Sequence, residues 1–198
     1  MGGAAGADEP MERLADWIAD ALARGVSEPT AMALATASGD REPSVRILLA
    51  RRVDAEGVVF FTNYESRKGL DLTVNPRAAA AFFWDGLGRQ VRLNGPVERL
   101  PEAESEAYFA ARPLGSRIAA FVSPQGRPIA SRAWLEEQFA EAERRFAGGD
   151  VPLPAWWGGY RLRPETVEFW ESRANRLHDR LVYVRSTDGG WRTQRLAP

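Results

Sequence analysis

The stretch AMALATASGDREPSVRILLARRVDAEGVVFFT, residues 31–62, decides the fold. Ala31–Ala37 is a short apolar run, Ser38-Gly39-Asp40 a turn, and Ser44–Arg51 a second strand candidate. Asp54-Ala55-Glu56-Gly57 supplies another turn and leads into Val58–Thr62. Short strands joined by tight turns read as an antiparallel meander.

Working outward, Ser66–Val74 reads as a short helix, with Ser66 as N-cap and Pro76 blocking continuation. Ala78–Trp84 is apolar at nearly every position, so both faces of that strand are expected to be covered. After Asp85-Gly86-Leu87-Gly88, a long strand candidate runs from Arg89 to Leu100. Strand signals this dense favour a closed barrel over an open α/β sheet. Towards the N-terminus, Met11, Leu14, Ile18, Ala21 and Leu22 recur at helical spacing, giving an amphipathic helix over Met11–Arg24 that stops at Gly25. Beyond the barrel candidates, two helices are expected, Glu102–Ala111 and Ser131–Phe146. The second carries Leu135, Phe139, Ala142 and Phe146 on one stripe. Pro152-Leu153-Pro154 then breaks the chain before four more strands, Trp157–Leu162, Thr166–Trp170, Leu181–Arg185 and Trp191–Leu196, expected to complete the same sheet. The fold class is mainly β with flanking helices. Met1–Pro10, rich in Gly and Ala, reads as a flexible N-terminus, and residues 11–198 as a single domain.

Lys plus Arg number 26 against 27 for Asp plus Glu, so no global field recruits nucleic acid or a membrane surface, and any anion must be held locally. Without cysteine there are no disulfides, thiolate metal sites or thiol nucleophiles. The single histidine, His178, excludes a multi-histidine metal site while leaving a Ser-His-Asp triad formally open, and no metal is expected. Neither a GxGxxG nor a GxxxxGK[ST] motif is present. The N-terminus lacks the pattern of a secretory signal and no run is long enough to span a bilayer, which gives a cytoplasmic expectation.

Four groups of residues could carry chemistry. Arg67 and Lys68 sit in the first turn of an expected helix, where cations oppose the helix dipole; the position suits a phosphate, and equally a solvated basic pair. Strand alternation puts Arg46 on one face with Leu48 and Ala50, so it needs either a carboxylate or an anionic ligand. Gln90, at the start of a long strand, could offer donor and acceptor to a planar heterocycle or simply be exposed. The densest cluster is Glu168-Phe169-Trp170 followed by Arg176-Leu177-His178-Asp179-Arg180. An indole beside arginines suits a phosphorylated aromatic ligand, or else a core Trp with a surface ion network.

Taken together, these stretches resemble the pyridoxamine 5'-phosphate oxidase family from about Pro29 to Pro198. The matching segments are Arg46-Ile47-Leu48-Leu49, Phe61-Thr62-Asn63-Tyr64, Ser66-Arg67-Lys68-Gly69, Asn75-Pro76 and Arg89-Gln90-Val91. They continue with Tyr108-Phe109, Arg112-Pro113, Trp157-Gly158-Gly159-Tyr160, Glu168-Phe169-Trp170, Arg176-Leu177-His178-Asp179-Arg180 and Arg195-Leu196-Ala197-Pro198. The resemblance implies an FMN-binding split β-barrel, a homodimer whose two sites draw on both subunits, and vitamin B6 chemistry with O2 as electron acceptor. It implies FMN contacts from Arg46, Ile47, Leu48, Leu49, Arg51, Phe61, Thr62, Arg67, Lys68, Gln90, Gln125, Trp170 and Arg180. Substrate contacts are implied for Arg51, Tyr108, Arg112, Ser116, Arg176 and His178, the last two flanking the substrate ring as the catalytic pair.

Three departures bear on the substrate. Arg51 stands where the family has a lysine, Gln125-Gly126 replaces Gln-Ser, and Glu171-Ser172-Arg173 adds charge where the family has Gln-Gly. A basic and tyrosine-bearing cover segment also has no counterpart in Met1–Pro10. A related flavin oxidase of secondary metabolism, with phenazine-type oxidation of a reduced aromatic substrate, is therefore the alternative to a B6 oxidase.

Overall fold

A computed structural model describes residues 9–198, so most of the expected flexible N-terminus, residues 1–8, lies outside the described residues. The meander folds as read. β1 (Ala31–Ala37) pairs antiparallel with β2 (Pro43–Leu49), and β4 (Gly57–Asn63) follows. A strand absent from the sequence reading, β3 (Arg52–Asp54), pairs with β4 through a turn closed at Asp54 and Gly57. Only three residues long, β3 carries too little alternation to be seen in the sequence.

α2 (Arg67–Val74) has Ser66 at its N-cap position, but the serine does not cap. Its hydroxyl instead donates to the Asn63 carbonyl at 2.7 Å and accepts from Lys68 Nζ at 3.0 Å. β5 (Arg77–Trp84) and β6 (Arg89–Arg99) complete the central pair. After β6 come three helices where two were expected: α3 (Glu102–Ala110), α4 (Leu114–Val122) and α5 (Arg132–Arg145). α4 begins directly after Arg112-Pro113, and its Gly-Ser-Arg opening hid its helical period. The late strands β7 (Trp157–Leu162), β8 (Thr166–Glu171), β9 (Asp179–Arg185) and β10 (Trp191–Arg195) join the same sheet, as expected.

β6 is the hinge of this architecture. Its first half pairs with β8 from Arg89↔Glu171 to Asn94↔Thr166, and its end pairs with β7 from Val97↔Leu162. The long path therefore runs β10-β9-β8-β6-β5-β1-β2, while β3, β4 and β7 branch from the end of β6 and fold over to make the half-barrel. The switch falls at Gly95-Pro96, where the backbone of the Arg163–Glu165 connection crosses so closely that a Cβ on Gly95 would lie 2.0 Å from the Arg163 carbonyl oxygen. Only glycine admits that approach.

The main core packs Leu34, Phe60, Phe82, Leu93, Leu162 and Phe169 under α1 (Pro10–Ala23). α1 inserts Met11, Leu14 and Trp17, the indole lying edge-on to Phe169 at 5.0 Å between ring centroids. A second cluster gathers Phe109, Ile118, Ala142, Phe146 and Trp157 around α3–α5, with Phe139 of the expected stripe packed against it. Phe61 joins it to the barrel by stacking on Tyr108 at 3.8 Å.

β5 corrects one expectation. Its burial alternates, with Ala78, Ala80, Phe82 and Trp84 inside, whereas Phe83 is 59% exposed. Cross-strand register extends this outer face through Ala33 and Ala35 of β1 to Val45 and Ile47 of β2, which are 67% and 68% exposed. The apolar composition of β5 is real, but the described residues of one chain cover only one of its faces.

Gly95→Ala should lower the unfolding free energy by about 2 kcal/mol, because backbone, not a mobile side chain, meets the new methyl. Gly86→Ala, which meets open space, should stay within roughly 0.5 kcal/mol of wild type. Urea denaturation of both variants checks this pair.

Candidate active site

The first group of functional side chains converges where β2, β4 and α2 meet. Arg46 reaches inward from β2, its Nη1 donating to Thr36 Oγ1 at 2.8 Å and to the Leu34 carbonyl at 3.1 Å, its Nη2 to Ser44 Oγ at 2.7 Å. Thr36 passes the connection on by donating to Asp71 Oδ2 at 2.7 Å, and Arg67 Nε donates to Asp71 Oδ1 at 2.9 Å. Asp71, only 3% exposed, is thus the buried counter-charge that ties Arg46 and Arg67 into one network. It went unremarked in the sequence, although its place four residues after Arg67 on a helix was a usable signal.

Lys68 faces the same space with no carboxylate partner among the described residues. Its Nζ donates to Thr62 Oγ1 at 3.0 Å, Ser66 Oγ at 3.0 Å and Gln125 Oε1 at 3.1 Å, all neutral acceptors. Burial and the nearby Arg46 charge hold its amine down to about 8. Burial likewise lowers Arg46, with Asp71 opposing and Arg67 adding to the effect. Arg67 also donates to the exposed Glu42 at 3.1 Å, so three cations face two carboxylates, only one of them buried; the remaining surplus of positive charge is what an anionic ligand would relieve.

The second group adjoins the first through Gln125. Gln125 also accepts from Thr62 Oγ1 at 3.1 Å, and it lines a cavity of about 220 Å³ with Asn63, Arg112, Ser123 and Trp157. The Arg112 guanidinium lies 4.8 Å above the Trp157 ring, and its Nη1 is buried without a hydrogen-bond partner among the described residues. Burial lowers its pKa, and the Arg51 charge adds to that while Tyr108 opposes it. An unpaired buried guanidinium nitrogen is costly unless a ligand supplies the acceptor. Tyr108 and Arg51 border a neighbouring cleft of about 310 Å³, and Ser116 lies in the first turn of α4. Gly126 has φ +84°, a left-handed backbone that a serine at this position would strain.

The third group is elsewhere. Gln90, Trp170 and Arg180 are cross-strand partners on β6, β8 and β9, so their side chains share one face. That face is the outer one, continuous with Phe83 through the Phe83↔Gln90 pair. Arg180 is fixed by Glu168, with Nε–Oε1 at 2.8 Å and Nη2–Oε2 at 3.2 Å, and by the Ala197 carbonyl at 2.9 Å. Burial pushes Glu168 up, but the Arg180 and Arg92 guanidiniums outweigh it and hold the carboxyl below its ordinary value. Its role was not read from the sequence, though its two-residue offset from Trp170 put it on the same face. His178 lies 4.6 Å from the Trp170 ring, and Arg176 is exposed on a turn where both Asn175 and Arg176 have positive φ, 56° and 61°.

One chain therefore brings together Arg46, Thr62, Arg67, Lys68 and Gln125, and beside them Arg51, Phe61, Tyr108 and Arg112. It does not bring Gln90, Trp170, Arg176, His178 or Arg180 to them. Arg46 points to the inner face opposite Leu34, whereas Trp170 points outward. Four strand spacings separate β2 from β8, roughly 19 Å along the sheet. Of the segment around Arg46, Leu48 shares its inward face, while the Ile47 side chain points outward.

A half-barrel with a partly buried cation cluster, an unpaired guanidinium nitrogen and stacked aromatics defines a split-barrel protein suited to phosphorylated aromatic ligands. The comparisons make this specific. The family model described as pyridoxamine 5'-phosphate oxidase matches residues 18–146, and that described as the pyridoxine 5'-phosphate oxidase C-terminal dimerisation region matches residues 157–198. The chain belongs to the pyridoxamine 5'-phosphate oxidase family. It is 51% identical to a pyridoxine/pyridoxamine 5'-phosphate oxidase of Rubrobacter xylanophilus, over 98% of this chain and 89% of the relative. It is 52% identical to one of Pseudomonas paraeruginosa, over 96% and 89%. Among solved structures, PhzG of Burkholderia lata, in complex with tetrahydrophenazine-1-carboxylic acid, superposes with a TM-score of 0.92 at 34% identity, covering 97% of this chain and 94% of that one.

Lys68 sets a pH signature. Its folded value lies below the ordinary lysine range, so between about pH 8 and that range the unfolded chain binds more protons and stability rises with pH. The ligand-free protein should gain unfolding free energy across that window, and Lys68→Met should abolish the gain. Thermal melts of both proteins from neutral to alkaline pH measure it.

Proposed function

We propose that two copies of this chain form an FMN-dependent oxidase that converts pyridoxine or pyridoxamine 5'-phosphate to pyridoxal 5'-phosphate, reducing O2 to H2O2, with residues 11–198 acting as one unit in the cytoplasm. The observation that carries this reading is the pair of adjoining anion grips. Arg46, Arg67 and Lys68 form one, Arg112 with its unpartnered Nη1 forms the other, and Gln125 stands between them. A phosphorylated cofactor and a phosphorylated substrate meeting in one site need that duplication.

The residues fit FMN: a local surplus of positive charge with neutral donors and acceptors around it suits a phosphate and a polyhydroxy chain. Arg46, Arg67 and Lys68 would hold the phosphate, with Thr62 and Gln125 beside it. Ile47, whose side chain points outward, would contribute only main chain, alongside Leu48 and Leu49. When bound, the flavin accepts a hydride equivalent from the substrate and delivers two electrons to O2. Arg112, Tyr108 and Ser116 would anchor the substrate phosphate, Arg51 would lie over the shared space, and Phe61 and Trp157 would wall it from water. In the alcohol, loss of the C–H and O–H hydrogens gives the aldehyde directly. In the amine, loss of the C–H and N–H hydrogens gives an imine, which water hydrolyses to the aldehyde with release of ammonia.

Gln90, Trp170, Arg176, His178 and Arg180 complete this site only from a second copy, and the uncovered face of Ala33, Val45, Ile47, Ala79 and Phe83 gives that copy its seat. The dimerisation-region match over residues 157–198 supports the same assembly. A second reading, oxidation of a reduced aromatic metabolite, draws on the likeness to PhzG and on Arg51, Gly126 and Glu171-Ser172-Arg173.

Flavin-loaded protein should consume O2 and release peroxide with either B6 phosphate. No turnover with both at full flavin loading removes the first reading, and peroxide release with a dihydro-aromatic acid alone moves the assignment to the second. Arg67→Ala should weaken FMN binding by about 30-fold, and Arg176→Ala should keep the flavin but lose turnover by about 100-fold. At a flavin concentration that leaves Arg67→Ala unloaded, unfolding and reassembling the two variants together should restore about a quarter of the wild-type activity, because random pairing makes half the dimers mixed, each with one intact site. Absence of that recovery counts against a site shared between copies.

A further inference from the structure

The chain has one imidazole, His178, and its surroundings fix where its proton sits. The main-chain N–H of Arg173 donates to His178 Nδ1 at 3.1 Å. A backbone N–H can only donate, so Nδ1 presents its lone pair, and the neutral ring carries its proton on Nε2. Nε2 has no hydrogen-bond partner among the described residues, and the ring rests against Trp170 at 4.6 Å. The segment between the two bonded residues is a tight, strained turn. Leu177 N closes on the Ala174 carbonyl at 3.2 Å, and Asn175 and Arg176 both take left-handed backbone conformations. Side chains brace it at the base, where the Arg173 guanidinium reaches Asp179 Oδ2 at 3.3 Å and Glu171 Oε2 at 3.5 Å.

We propose that Arg173 is a positioning residue that holds His178 in the Nε2–H tautomer, so that the imidazole acts on the substrate as a hydrogen-bond donor and not as the acceptor of its proton. The ligand feature that Nε2–H recognises is an oxygen or nitrogen lone pair on the aromatic substrate. The proton that the substrate's amine or hydroxyl releases goes to water. The same turn that presents the Arg176 guanidinium thereby presents a second, neutral donor two residues on, and the pair polarises the ring from one side. The role assigned to His178 rests on the oxidase reading; the tautomer does not.

The test uses the flavin-loaded protein labelled with ¹⁵N, in mildly alkaline buffer where an ordinary imidazole is neutral. Because there is a single histidine, long-range proton–nitrogen correlation gives one unambiguous imidazole pattern. The expected pattern is that of the Nε2–H tautomer, with a coupling across the hydrogen bond from the Arg173 amide to Nδ1. An Nδ1–H pattern, a doubly protonated ring or no such coupling overturns the proposal. Turnover supplies the second readout. His178→Gln keeps a donor without a basic nitrogen and should lose about tenfold, whereas His178→Leu should lose about a hundredfold. Equal losses in the two variants contradict the donor role. Should the tautomer be found in a protein that oxidises no B6 phosphate, the oxidase reading falls and the Arg173–His178 assignment stands.

Discussion

The two-residue period of a β-strand governs everything else in this molecule. On β2 it sends Arg46 to the inner face opposite Leu34 and Val45 and Ile47 to the outer face. On β8 the same period sends Phe169 into the core and Glu168 and Trp170 outward. A slip of one residue in either strand would exchange core and ligand-binding side chains together. The kink of β6 at Gly95 then folds β4 and β7 over the inner face, which brings Thr62 and the α2 cations beside Arg46. The outer face receives no such cover from the described residues of its own chain.

Electrostatics turns this geometry into a binding site. Arg46 and Lys68 are drawn out of water by the fold, and both are shifted towards their uncharged forms by burial. Asp71 answers part of that charge while bonded to Arg67 and, through Thr36, to Arg46. It cannot answer all of it. The same holds for Arg112, whose ring-stacked guanidinium keeps one nitrogen unpaired beside Gln125. Stability withheld at these positions would be recovered on binding anions, as the proposed pairing of two phosphorylated ligands requires. Where the role is structural, the chain behaves differently: Glu168 is fully answered by Arg92 and Arg180, and Arg161 by Asp54 and Glu56.

The strands were legible because they alternate or run apolar between strong turn signals; Ala31–Ala37 and Trp157–Leu162 coincide with β1 and β7. β3 and α4 were not, since three residues carry no period and a Leu-Gly-Ser-Arg opening weakens a helical one. Arg46, Arg67 and Lys68 could be picked out singly, but their convergence depends on Asp71 and Thr36, residues whose importance lies in contacts 35 positions apart. The reading of β5 as covered on both faces was chemically sound at the level of composition. It failed for the single chain because sequence does not say whether cover comes from the same molecule.

That same gap explains the division of the site. Within a chain, the anion grips and the indole–imidazole group sit on opposite faces, and the face that bears Gln90, Trp170 and Arg180 is continuous with the apolar strip from Ile47 to Phe83. Any surface that buries the strip must also approach Trp170 and Arg180. The twofold assembly proposed above would satisfy both demands at once, since each copy's strip would meet its counterpart and each copy's outer cluster would meet the other's inner grips. Association then does more than add stability. In the proposed assembly it would make ligand binding and association mutually reinforcing, because a phosphate held by Arg46, Arg67 and Lys68 of one chain would give the Trp170 and Arg180 of another something to close upon.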